Sequence, residues 1–232
     1  MPATVPSHPG VVLPLKVWRP RWFDGVALAV GSAAPDVAYA LDGSGWPVWP
    51  LSHEPLGLLV WCLPVTLAIG WLLRRAAPVV AAHLPPAGLE LTAYGAVARN
   101  PHRWFVTASS ALVGGASHLV ADALGAFIPG AEAGLYVLGG LVLLLVLRHI
   151  ARHALIREWH GPAPVVPRRP RLFWGVAGVL AATGAVAIQH LPTAGLVHTT
   201  GVRLLTVVVG ALLVAAACTA CVSRVRAAGW IS

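Results

Sequence analysis

The chain has 232 residues, 57% of them hydrophobic and only 10% charged, with a mean hydropathy of +0.76. That is more apolar side chain than a soluble core of this size can bury, so a bilayer is the solvent that fits. A formal charge of +8 and a pI near 10.7 do not point to nucleic acid, because the 16 basic residues lie between apolar runs without an interleaved aromatic and basic surface.

In chain order, Ser7-His8-Pro9 opens a short predicted helix over Pro9 to Val17, and Lys16, Arg19 and Arg21 precede the first apolar run. A signal peptide competes for this region, with Ser32-Ala33-Ala34 in the place of a cleavage site. The uninterrupted apolar run after Asp24 is too short for that, and Pro35 would follow the cut, so a retained helix is preferred. Windows near the ~20 residues that cross a bilayer fall at 23–41, 55–73, 104–126, 133–149, 172–190 and 201–222. The expected fold is therefore all-α: a polytopic membrane helical bundle of about six transmembrane helices plus the short N-terminal helix. Pro85-Pro86 marks a break between spans, and the Pro/Arg-rich segment 161–171 reads as a linker between a motif-bearing part, 1–160, and a C-terminal hairpin, 172–232.

Charge placement orients the bundle. With Lys16 to Arg21 in the cytoplasm, one loop carries Arg74, Arg75, Arg99 and Arg103, and another carries Arg148, Arg152, Arg157, Arg168, Arg169 and Arg171. Arg224 and Arg226 follow the last span, so 15 of the 16 basic residues obey the positive-inside rule and only Arg203 does not. Trp46 and Trp49 lie in a connection without basic residues, as expected of an external aromatic belt. Membrane lipids are thus the expected surroundings, and the sequence carries no signal for an oligomeric state.

Against this background five polar residues stand out: His8, Asp36, His53, His118 and Asp122. Imidazole and carboxylate at membrane depth are costly unless they face a cavity, a partner or a metal. If the N-terminal helix runs inward and returns as the first span, His8 reaches the level of Asp36. His53 sits in the short external connection, while His118 and Asp122 are four residues apart on one helix face. All five then converge at one depth, as a ligand set suited to zinc or another divalent metal. Each also has a plainer reading. His118 fits an interhelical hydrogen bond, Asp36 and Ser52-His53 fit helix caps with Pro55 opening the next helix, and Ser7-His8-Pro9 fits a turn.

The fragments Ser7-His8-Pro9 with Val11 to Leu15, Gly31-Ser32 to Pro35-Asp36, Ser52-His53 to Leu59 with Cys62-Leu63-Pro64, and Gly115 to His118 with Asp122 resemble the bacterial membrane family catalogued as domain of unknown function 4184. The resemblance runs through most of residues 1–150. That family looks related to inner-membrane metal-dependent hydrolases and, more remotely, to the helical fold of zinc-dependent phospholipase C. The resemblance implies His8, Asp36, His53, His118 and Asp122 as ligands of a divalent metal, zinc above all, and a location in a bacterial inner membrane with basic loops and C-terminus cytoplasmic. It also implies hydrolysis of a lipid or other phosphoester, with Asp36 and Asp122 as the catalytic carboxylates. Members of that family often carry a further His four residues beyond the Asp, where this chain has Ala126. Two function classes stay open at this point: a metal-dependent hydrolase, and a non-enzymatic transporter or structural component with a hydrogen-bonded polar core.

Three lesser features remain. His149 and His153 alternate with Arg148, Arg152 and Arg157 and read as an interfacial cationic face. Cys218-Thr219-Ala220-Cys221 lies in an apolar span and reads as small-residue packing. His190 and His198 flank a short connection and receive no role.

Overall fold

The computed structural model describes residues 7–85, 90–128 and 131–227; Pro86 and the side chain of Arg226 lie outside the described residues. Among these no strand occurs and the chain is an all-α bundle. Its helices are α1 (His8–Trp18), α2 (Gly25–Val37), α3 (Pro55–His83), α4 (Trp104–Phe127), α5 (Ala131–Arg152), α6 (Leu155–His160), α7 (Pro170–Ile188) and α8 (Val197–Ala227). Shorter 3₁₀ turns cover Ala38–Leu41, Leu51–His53 and Leu91–Ala98, and Leu58–Cys62 within α3 winds as a π-helix.

Five stretches are long and apolar enough to cross a membrane: Pro55–His83, Trp104–Phe127, Ala133–Arg152, Pro170–Ile188 and Val197–Val225. The first predicted span corresponds to Gly25–Leu41, an apolar helix shorter than the other five. Large apolar side chains along these helices are exposed, among them Leu59, Val60, Trp71, Val137, Leu144 and Val179. Such a surface is stable only in hydrocarbon, so the protein is an integral membrane protein. Two expectations need correction. Helix α3 runs on to His83, past the predicted end at 73, so Arg74 and Arg75 lie inside a helix and not in a loop. Pro78 does not stop it, and Arg74 Nη1 reaches out to donate to the Val97 carbonyl at 3.0 Å. Helix α8 likewise exceeds the predicted 201–222 at both ends.

The chain divides into two compact units that interleave along the sequence. The first contains Met1–Trp71, His102–Ile150 and Leu191–Arg203; the second contains Leu72–Pro101, Ala151–His190 and Leu204–Ser232.

In the first unit α1 turns at 19–24 into α2, whose N-terminus is capped by Asp24, its Oδ1 accepting from the amides of Val26 and Ala27 at 3.1 and 3.2 Å. The same carboxylate accepts from Thr107 Oγ1 at 2.8 Å, and the Asp24 amide donates to Ser110 Oγ at 2.9 Å, which sets the register of α4 on α2. Farther along, the two backbones touch. A Cβ on Gly114 would stand 2.6 Å from the Leu28 carbonyl oxygen, and one on Gly31 would stand 2.5 Å from the Ala111 oxygen. Glycine alone permits that approach. The start of α1 is seated in the same way, since a Cβ on Gly139 of α5 would stand 2.7 Å from the Ser7 oxygen. Lys16 is buried; its ammonium donates to the Pro20 carbonyl at 2.8 Å and lies 2.9 Å from His102 Nε2.

The second unit has an apolar core of Ala76, Val79, Phe173, Ala177, Ala215 and Ala216. His83 stacks on Phe173 with ring centroids 4.6 Å apart. Its Nδ1 donates to the Val79 carbonyl at 2.7 Å, which leaves Nε2 to accept the Arg169 amide at 2.7 Å. An ion pair joins Glu90 and Arg157 on the surface.

Candidate functional site

Close packing of α2 on α4 has a chemical result. His118, fully buried on α4, lies against the last turns of α2, and its Nδ1 is 2.8 Å from the Ser32 carbonyl oxygen. A carbonyl only accepts, so Nδ1 carries a proton, and in the neutral imidazole Nε2 presents its lone pair. That Nε2 points to Asp36 Oδ1 at 3.5 Å and to Asp122 Oδ2 at 3.3 Å.

His53 arrives from the other side. It ends the Leu51–His53 turn that leads into α3, where Pro55 is the first helical residue. Its Nδ1 is held 2.9 Å from Ser52 Oγ, and its Nε2 lies 3.5 Å from Asp36 Oδ1 and 3.7 Å from Asp122 Oδ2. The turn itself is fixed from α3, where Cys62 Sγ donates to the Ser52 carbonyl at 3.6 Å. Both Nε2 atoms are buried without a hydrogen-bond partner. His8 completes the group, its ring 3.9 Å from that of His118 between centroids.

The five residues named from the sequence are thus brought together. His8, His118 and Asp122 form one group, and Asp36, His53 and His118 another, the chosen donor atoms of each lying within 4.8 Å of one another. The plainer readings fare differently. The cap of α2 is Asp24, while Asp36 lies inside that helix. Glu54 and not Ser52 occupies the cap position before Pro55, and Ser52 turns its hydroxyl to His53 instead. His118 does make an interhelical hydrogen bond, but through Nδ1, which leaves Nε2 facing the carboxylates. The site opens toward Asp122, whose side chain is 23% exposed against 9% for Asp36.

Four donor-to-donor edges of 3.3, 3.5, 3.5 and 3.7 Å bound this space. Tetrahedral zinc with ligand bonds near 2.1 Å requires edges of about 3.4 Å. These four spacings are of that order, and the donors fall into two overlapping triads, each within 4.8 Å, rather than one set of four.

One neighbour had no place in the sequence reading. Tyr39, three residues after Asp36 and hence on nearly the same helix face, packs its ring 5.6 Å from that of His53 and 4.9 Å from that of His198. Its spacing from Asp36 was the available signal. Ala126 stands on α4 one turn beyond Asp122 and adds no donor atom.

Residues 1–125 match a family model described as Domain of unknown function (DUF4184). No curated protein and no solved structure matches the chain.

Proposed function

The chain belongs to the DUF4184 family, and on the geometry above we propose that it is a membrane-embedded, metal-dependent hydrolase acting on a lipid or other phosphoester. The observation that supports this is the pair of buried, unpartnered Nε2 atoms of His53 and His118 facing the carboxylates of Asp36 and Asp122. Two lone pairs aimed at two carboxylates repel unless something positive stands between them. His53, His118 and Asp36 are the proposed ligands, with His8 beside them as a further donor and Asp122 kept as the base, and two or three imidazoles favour zinc among common divalent ions.

Such an ion supplies an acidified water and an electrophilic contact for a phosphoryl oxygen. The protein's own residues do the rest. The Ser32 carbonyl holds the His118 imidazole in one orientation with a proton on Nδ1, and the Ser52 hydroxyl orients that of His53. Asp122, the more exposed carboxylate, is placed to take the proton as general base, while the more buried Asp36 stays among the imidazoles. Lipid-facing Val120 and Leu124 flank Asp122 on α4, which suits an amphiphilic ester entering from the bilayer. The distribution of basic residues supports an orientation with the basic loops and C-terminus in the cytoplasm, and the resemblance noted above supports a bacterial inner membrane.

A second reading rests on the same distances. If both imidazoles carry a second proton, each Nε2 becomes a cation within 4.0 Å of a carboxylate, and the cluster is an ion-paired core of a transporter or structural protein. Elemental mass spectrometry of purified wild-type protein beside Asp36→Ala and His118→Ala separates the two. Near-stoichiometric zinc, manganese or iron lost in both folded variants supports the hydrolase and leads to a lipid phosphoester panel. Metal-free protein after reconstitution refutes it.

A further inference from the structure

The matched family region ends at residue 125, yet the compact unit that carries the site also includes Leu191–Arg203. This late segment is tied down by polar bonds that are unusual at membrane depth. Arg203 is 4% exposed and spends its guanidinium on three carbonyls: Nε on Ala40 at 3.3 Å, Nη1 on Pro192 at 2.6 Å, and Nη2 on Asp42. Thr199 is fully buried and donates to Asp42 Oδ2 at 2.5 Å. Three of these four bonds close on the turn Ala38–Leu41 and the residue after it, the stretch that follows Asp36. Next to Thr199 in the chain, His198 lies edge-on to Tyr39, and Tyr39 in turn lies against His53.

We infer that residues 191–203 complete the candidate centre. Arg203 and Thr199 clamp the end of α2, His198 backs the Tyr39 ring, and Tyr39 holds the His53 imidazole toward Asp36 and Asp122. His198 and Tyr39 are positioning residues; neither is a ligand. Arg203 is also the one basic residue on the wrong side of the charge pattern, and a buried clamp explains why it stands there. The inference rests on the metal reading for the purpose of the arrangement, but the ordering of His53 can be measured without metal.

The test uses full-length protein in detergent with two readouts. One is cobalt(II) affinity, followed by its visible d–d absorption; the other is diethylpyrocarbonate labelling of His53 in metal-free protein, located by mass spectrometry. Because loss of Arg203 would leave three carbonyls unpaired and endanger folding, the variants are Thr199→Val and His198→Ala, with His198→Phe to restore the ring contact. Both of the first two are expected to raise His53 labelling and weaken cobalt binding about tenfold, the scale on which partners behind a ligand act. His198→Phe is expected to stay near wild type in both. Unchanged His53 labelling in Thr199→Val and His198→Ala overturns the inference, as does raised labelling with wild-type cobalt affinity. If wild-type protein binds no cobalt, the metal reading fails by itself, and His53 labelling alone decides whether the late segment orders that residue.

Discussion

Replacing Gly114 by alanine tests the claim that backbone contact between α2 and α4 builds the site. The added Cβ would stand 2.6 Å from the Leu28 oxygen and 2.7 Å from the Ser32 nitrogen, where ordinary contact begins at 3.4 Å, so the helices must separate by about 0.8 Å (3.4 − 2.6). Neither obstacle is a side chain that can swing away. Overpacking of this kind costs about 1–3 kcal/mol. For a chain of this size each kcal/mol corresponds to about 2–4 °C, so a fall in Tm of roughly 2–12 °C is expected. The same separation pulls His118 from the Ser32 carbonyl, now 2.8 Å away, and weakens metal binding in parallel. Thermal unfolding in detergent, followed by loss of the monodisperse chromatographic peak, is the assay, beside Gly178→Ala, where a Cβ meets nothing within 4 Å. Gly178→Ala should change stability by less than about 1 kcal/mol. Equal Tm values for the two variants would refute the packing argument.

Three further outcomes separate fold from site. Asp24→Ala removes the α2 cap and the acceptor of Thr107 and should lower stability by about 1–2 kcal/mol while metal content, measured by elemental analysis, is unchanged. His83→Ala strips the Val79 carbonyl and the Arg169 amide of their partner and opens the stack on Phe173, a loss of about 2–4 kcal/mol in thermal unfolding, again with metal retained. Trp61→Phe deletes the indole bond to the Ala34 carbonyl, 2.9 Å long, and should cost about 1 kcal/mol with little effect on cobalt affinity.

The parts of this architecture that were legible in the sequence are those written in side-chain type and spacing. His118 and Asp122 announce a shared face through their separation of four, and His8 reaches Asp36 because an inward helix and an outward one of similar length must return to the same depth. Apolar windows find the spans, but a window tuned to bilayer thickness cannot see that α3 continues through Arg74 and Arg75, the first of which reaches the Val97 carbonyl from within the helix. The acceptor that sets the His118 tautomer is a backbone carbonyl at Ser32, and a backbone carbonyl leaves no mark in composition. His83 was equally hidden, since an isolated histidine in an apolar helix looks alike whether it holds an amide 86 positions away or nothing. Arg203 did leave a mark, as the exception to the charge rule, and the clamp on Ala40, Asp42 and Pro192 is what that exception meant.

Charge balance gives the site reading its final constraint. Two ionised carboxylates with neutral imidazoles carry a formal charge of −2 in a setting where His118 is fully buried and Asp36 nearly so. An uncompensated pair of that kind costs many times the net stability of a folded protein. Two extra protons can neutralise it, one on each Nε2, and so can one divalent cation. The proton solution predicts short, linear hydrogen bonds of about 2.7–2.9 Å from each imidazolium. The spacings are instead 3.3–3.7 Å, with each Nε2 shared between two carboxylates and bonded to neither. The two solutions differ in whether an ion is held, and that difference makes elemental analysis the experiment on which both readings of the protein turn.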